Sequence, residues 1–127
     1  MKKQKMQYKL VVRLFTEDQN KAFGPGIAEL LRRVDSFHSL RSAAASMEMA
    51  YSKAWTIIRN SESYFGFKLL STATGGKGGG GAVLTDEGRD LLQRYDSFYT
   101  ELQEYGKKLF AEKFEDFNSL SYFHLHP

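Results

Sequence analysis

The sequence predicts an α+β fold, mainly helical: a winged helix-turn-helix continued by a long C-terminal helix. Three observations predict it. A short alanine-rich helix is followed, after a tight break, by an amphipathic one. A loop of six glycines then sits between two short apolar stretches, as in a β-hairpin. Finally, an apolar pattern that repeats in sevens runs through the last third of the chain.

The elements follow in order. Residues 8–16 (YKLVVRLFT) carry β-branched and aromatic side chains in partial alternation and read as a strand. The charged turn EDQNK leads to Phe23-Gly24-Pro25-Gly26, where Pro25 suits the first position of a helix because no amide donor is needed there. Ile27, Leu30, Leu31, Val34 and Phe37 fall at helical spacing, which predicts an amphipathic helix over residues 27–38. Ser39 is placed to cap a second helix, residues 40–47, whose Ala43, Ala44 and Ala45 permit close packing. A third helix runs from Tyr51 to about Tyr64, with Ala54, Trp55, Ile58 and Phe65 as its inward stripe and Gly66 as its stop. Residues 67–73 and 82–84 are the two strands of the wing around the glycine loop. Thr85 caps the last helix, and Asp86 and Glu87 in its first turn complement the helix dipole.

That helix carries the repeat. Gly88, Tyr95, Leu102 and Leu109 share one heptad position, while Leu91, Leu92, Phe98, Tyr99 and Tyr105 fill the other. A stripe of three heptads exceeds what one small core needs, so a second copy of the chain is its natural outlet. The expected organisation is a DNA-binding domain over residues 1–84, then a dimerisation helix and tail over 85–127. The expected dimer interface is Leu91, Leu92, Tyr95, Phe98, Leu102, Tyr105 and Leu109.

Charge points to the partner. The net charge of +3 conceals a basic front, +7 over residues 1–81, and an acidic back, −4 over residues 82–127. Only the front is suited to a polyanion such as double-stranded DNA. The 127 residues include no cysteine, which excludes disulfides, thiol catalysis and cysteine-held metals. No apolar run approaches the ~20 residues that span a bilayer, and the N-terminus lacks the pattern of a signal peptide, so a cytoplasmic protein without a membrane partner is expected.

The outer side of the third helix offers Tyr51, Ser52, Lys53, Thr56, Arg59 and Asn60, with Ser63 beyond them. A recognition helix needs such a division, one side anchored in the core and the other presenting donors and acceptors to base edges. Lys53 and Arg59 suit guanine or phosphate, and Asn60 suits adenine. Ser39, Arg41 and Ser42 at the start of the second helix are candidate contacts to the DNA backbone. In the wing, Thr74, Gly75, Gly76, Lys77 and Gly78 offer bare amides and one cation to phosphates. The same loop fails as a nucleotide-binding P-loop, because Lys77 is followed by Gly78 rather than Ser or Thr. No nucleophile, base or metal cluster forms a catalytic constellation. His38 reads as a helix-end residue, and His124 and His126 stand near the terminus without carboxylate support. No enzyme activity, cofactor, metal or small-molecule ligand is expected.

The stretches MAYSKAW (residues 49–55) and STATGGKGGGGAVLT (residues 71–85) resemble the N-terminal domain of the molybdate-responsive transcriptional regulators of the ModE type. The resemblance covers roughly residues 14–92, and its specific part is the glycine wing. It implies a winged-helix dimer on palindromic operators, with Tyr51, Lys53, Trp55, Thr74, Gly75, Gly76 and Lys77 carrying the motif. Two departures stand out. The family usually has glycine where Glu48 stands, so a left-handed residue costing ~1 kcal/mol is expected there. It has Ser-Tyr-Lys in place of Ala50-Tyr51-Ser52, which removes an N-cap and leaves Ser52 as a later start for the helix. Family members bind molybdate or tungstate in C-terminal domains that have no counterpart in these 127 residues, so no oxyanion sensing by this polypeptide is expected. The expected function is a sequence-specific regulator, homodimeric on a pseudo-palindrome. The alternatives are a non-specific architectural DNA-binding protein and a protein-interaction module that recruits a separate sensor.

Overall fold

The computed structural model describes residues 4–73 and 81–118. The wing residues Thr74, Gly75, Gly76, Lys77 and Gly78, and the tail with His124 and His126, lie outside them. In chain order the elements are β1 (Leu14–Phe15), β2 (Lys21–Phe23), α1 (Pro25–Phe37), α2 (Leu40–Ser46), α3 (Tyr51–Phe65), β3 (Leu70–Thr72), β4 (Ala82–Leu84) and α4 (Asp86–Asn118). The chain divides into two compact units, Val12–Asp96 and Met1–Val11 with Ser97–Pro127.

The first unit is the winged helix. Its core is the inner side of α1 (Ile27, Ala28, Leu30, Leu31, Val34) closed by Leu40, Ala43 and Ala44 of α2 and by Ala54 and Ile58 of α3. The expected cap is present: Ser39 Oγ accepts from the Ser42 amide at 3.0 Å. The break between α2 and α3 turns at Glu48, which adopts φ +54, the left-handed value expected there. The third helix starts at Tyr51, not later at Ser52, even though Ala50 supplies no side-chain cap. It ends at Gly66, φ +80. The wing strands pair antiparallel in the register Leu70↔Leu84, Ser71↔Val83, Thr72↔Ala82. His38, at the end of α1, is also left-handed, and its carbonyl accepts from the Ala82 amide at 3.0 Å. That bond ties the helix to the base of the wing.

Three expectations are corrected. The long first strand shrinks to Leu14–Phe15, which pairs with β2 as a hairpin around the EDQN turn. The earlier residues find no strand to pair with; Tyr8 instead packs in the second unit. The inward stripe of α3 is Ala54, Ile58, Ser61 and Glu62, whereas Trp55 and Phe65 are only half-buried. Burial of the two polar residues is supported by hydrogen bonds. Ser61 Oγ donates to the Ala22 carbonyl (2.7 Å), and Glu62 Oε2 accepts from the Leu69 amide (2.8 Å).

The heptad stripe is the third correction. Leu92 and Tyr95 are buried inside the winged-helix unit, where Tyr95 stacks edge-on against Phe23 at 5.1 Å and donates to the Val12 carbonyl at 2.7 Å. They belong to the core of their own unit, apart from the exposed part of the stripe. Gly88 is buried too. An added Cβ would stand 2.4 Å from the Leu69 carbonyl oxygen, so glycine lets the start of α4 cross that backbone. Thr85 fastens the same junction, donating to the Lys68 carbonyl (2.6 Å) and accepting from the Gly88 amide (2.9 Å).

In the second unit Tyr8 lies against Phe110, ring centroids 5.1 Å apart, and donates to the Gln103 carbonyl at 3.1 Å. Gly106 makes room for it. Phe98, Tyr105, Leu109, Phe114 and Phe117 are exposed along this part of α4, and Leu102 is half-buried.

Candidate nucleic-acid interface

Because Ala54, Ile58 and Ser61 fix one side of α3 in the core, the residues opposite are presented to solvent. Tyr51, Ser52, Lys53, Thr56, Arg59 and Asn60 are all exposed. Every residue expected on the recognition helix is therefore exposed, distributed over the outer side of α3 and its two flanks. Thr56 Oγ1 is partly occupied, donating to the Ser52 carbonyl at 3.0 Å. The two outer flanks differ. On one, Tyr51, Trp55 and Arg59 follow at intervals of four; the Arg59 guanidinium stands over Trp55 (5.1 Å) and that of Arg41, from α2, over Tyr51 (4.1 Å). Such cation–π contacts hold the guanidinium groups without neutralising them. On the other flank, Lys53, Ile57 and Asn60 border a cleft of about 420 Å³ whose far wall is Arg13 and the β2–α1 junction from Lys21 to Ile27.

Electrostatics separates the two sides of this unit. Arg32, Arg33, Arg89, Arg94 and Lys68 each have a carboxylate partner: Glu29 and Asp96, Glu29, Asp35, Asp90 and Glu62 respectively. The Arg33 and Arg32 guanidiniums hold the Glu29 carboxyl below its ordinary range, and hydrogen bonding from Arg89 does the same for Asp35. By contrast, Arg13, Lys21, Arg41, Lys53 and Arg59 form no ion pair among the described residues. Unpaired cations grouped around one helix present an open positive field, whereas paired ones cancel at short range.

Ser39, Arg41 and Ser42 sit together at the start of α2, with Arg41 and Ser42 exposed. The Ser42 amide is already bonded to the Ser39 cap, so side chains rather than that amide are left for a ligand. Lys21 and Arg13 are the residues that sequence reasoning missed. They flank a hairpin that was read as one long strand and a turn, so nothing placed them beside α3. Among the described residues no group of three or more His, Asp or Glu is arranged to hold a metal. No described helix is long and apolar enough to cross a membrane.

No protein-family model matches the chain. The DNA-binding transcriptional dual regulator ModE of Escherichia coli K12 is 39% identical over 79 residues, which is 61% of this chain and 30% of that protein. The chain is similar to the ModE regulators. The transcriptional regulator ModE of Yersinia pestis is 36% identical over 92 residues, 72% of this chain and 32% of the relative. A molybdenum-pterin-binding protein, MopB of Rhodobacter capsulatus, is 33% identical over 66 residues, 52% of this chain and 24% of the relative. The chain thus spans about a third or less of the length of these relatives. The resemblance expected from the wing and the MAYSKAW stretch is present, and the winged-helix fold accords with it.

Proposed function

We propose that this chain is a DNA-binding transcriptional regulator that acts as a homodimer on a pseudo-palindromic operator. The observation that carries the reading is the outward surface of α3: Ser52, Lys53, Thr56, Arg59 and Asn60 exposed together, with both cations lacking a carboxylate partner among the described residues. Similarity to proteins named as ModE transcriptional regulators supports the same reading. In it, α3 enters the major groove, where Lys53 and Arg59 read guanine edges or phosphate and Asn60 reads adenine. Ser39, Arg41 and Ser42 position the module on the backbone. Thr74, Gly75, Gly76, Lys77 and Gly78 add a wing contact. The reading also keeps residues 1–84 as the DNA-binding part and residues 85–127 as the dimerisation part, acting in the cytoplasm.

Homodimerisation rests on α4 beyond Asp96. Phe98, Tyr105 and Leu109 are exposed there with Leu102 half-buried, and a second copy of the same stripe covers them in the coiled-coil manner. Leu92 and Tyr95 support that seam from within the core instead of joining it.

The test is on sequence discrimination. Lys53→Ala and Arg59→Ala are each expected to lower the ratio of affinity for a selected duplex over a scrambled one, by about 1–3 kcal/mol per lost base contact. Equal losses on both duplexes would assign these residues to the backbone and refute base reading.

A further inference from the structure

We infer that the cleft between the β1–β2 hairpin and α3 is a seat for DNA backbone phosphate, held by Arg13 and Lys21, on the opposite flank of the recognition helix from α2. The inference rests on the DNA-binding reading and adds a second wall to the interface. A helix lying in a major groove ~12 Å wide meets a phosphate backbone on each side. One flank of α3, Tyr51–Trp55–Arg59, is served by Arg41 at the start of α2. The other flank, Lys53–Ile57–Asn60, opens directly into the cleft.

The composition of the cleft specifies an anionic occupant. Its lining holds three cations, Arg13, Lys21 and Lys53, and no carboxylate. None of the three forms an ion pair among the described residues, although Glu17 and Asp18 lie in the same hairpin's turn. The Arg13 stem runs along Gly24, where an added Cβ would find Arg13 Cγ at 3.7 Å, so the guanidinium starts from a packed position at the rim. Lys21 is exposed on β2, whose neighbour Ala22 is bonded through its carbonyl to Ser61 of α3. The hairpin is therefore fastened to the helix it flanks, and a phosphate between them meets cations on both walls. The extended β1–β2 edge holds these charges at a fixed separation from the bases read by Lys53 and Asn60.

The test measures salt dependence on the full chain, with a labelled random-sequence 25-bp duplex as probe and salt varied from about 50 to 200 mM. Each phosphate contact contributes about 0.9 to the slope of log affinity against log salt. The pair Arg13→Gln with Lys21→Gln is expected to reduce the slope by roughly two, with thermal unfolding unchanged. The charge-keeping pair Arg13→Lys with Lys21→Arg is expected to retain the original slope. An unchanged slope in the glutamine pair, while the unsubstituted chain binds, overturns the phosphate seat and leaves the DNA reading intact. A loss of slope in both pairs also overturns it, since a structural disturbance then explains the effect. Absence of salt-dependent binding by the unsubstituted chain overturns the DNA reading and the seat together.

Discussion

Glu48 shows how a single backbone angle holds the helix-turn-helix in register. It occupies φ +54 between α2 and α3, and the Met49 amide bonds back to the Ala44 carbonyl at 2.9 Å to close the turn. A left-handed angle costs a non-glycine residue about 1 kcal/mol, and Glu48 is exposed, so its side chain recovers little of it by packing. Glu48→Gly is therefore expected to raise stability by up to about 1 kcal/mol in urea unfolding; a clear loss would mean that the carboxylate makes a contact of its own. This angle was legible only through the family resemblance, in which glycine usually stands where Glu48 does. Glu62 was not legible. Its position four residues after Ile58 puts it on the inward side of α3, but only the fold shows that the Leu69 amide, seven residues on, turns back to meet its carboxylate there. Ser61 was hidden for the same reason, since its acceptor on Ala22 is 39 residues away.

Among elements, the helices and β4 were legible, whereas the limits of the other strands were not. Apolar spacing, Ser39 and Gly66 mark α1, α2 and α3 locally, within a few residues of their ends. Strand limits depend on where a partner stops: β1 ends where β2 does, and β3 where the short β4 does. In α4 the heptad reading found a real apolar stripe and could not tell which end it served. The first part packs inside the winged-helix unit, where Gly88 crosses Leu69. Gly88→Ala separates this account from helix propensity alone. Propensity predicts a gain of about 0.8–1.0 kcal/mol; the contact with the Leu69 carbonyl predicts a net loss of about 1–3 kcal/mol instead. A gain in thermal stability would show that the crossing has slack. The tie between α1 and α4 titrates. Hydrogen bonding from Arg89 to both Asp35 oxygens, 2.8 and 3.1 Å, lowers the folded carboxyl below its unfolded value. Such a group stabilises the fold above about pH 4 and loses that contribution as pH falls through the folded value. Asp35→Asn is expected to be slightly less stable at pH 7 and to show a shallower acid limb in unfolding measured from pH 7 to 3. Parallel limbs would contradict the tie. The effect is small because both partners are exposed.

At the scale of the whole molecule, the sequence divides its charge and the winged-helix unit divides its pairing. Arg32 and Arg33 of α1 and Arg89 and Arg94 at the start of α4 are matched by carboxylates, and Arg13, Lys21, Arg41, Lys53 and Arg59 around α3 form no ion pair among the described residues. The basic front was visible as a count, but its grouping around one helix was not, because Arg13 and Lys21 reach α3 only through the hairpin. The central claim is that this open surface reads sequence, in two copies. Selection of bound duplexes from a random DNA pool tests it most directly. The account predicts enrichment of a pseudo-palindrome with half-site centres about one helical turn apart, ~34 Å, and preference over random duplex of ~10³-fold or more. Binding with no enriched sequence would contradict it.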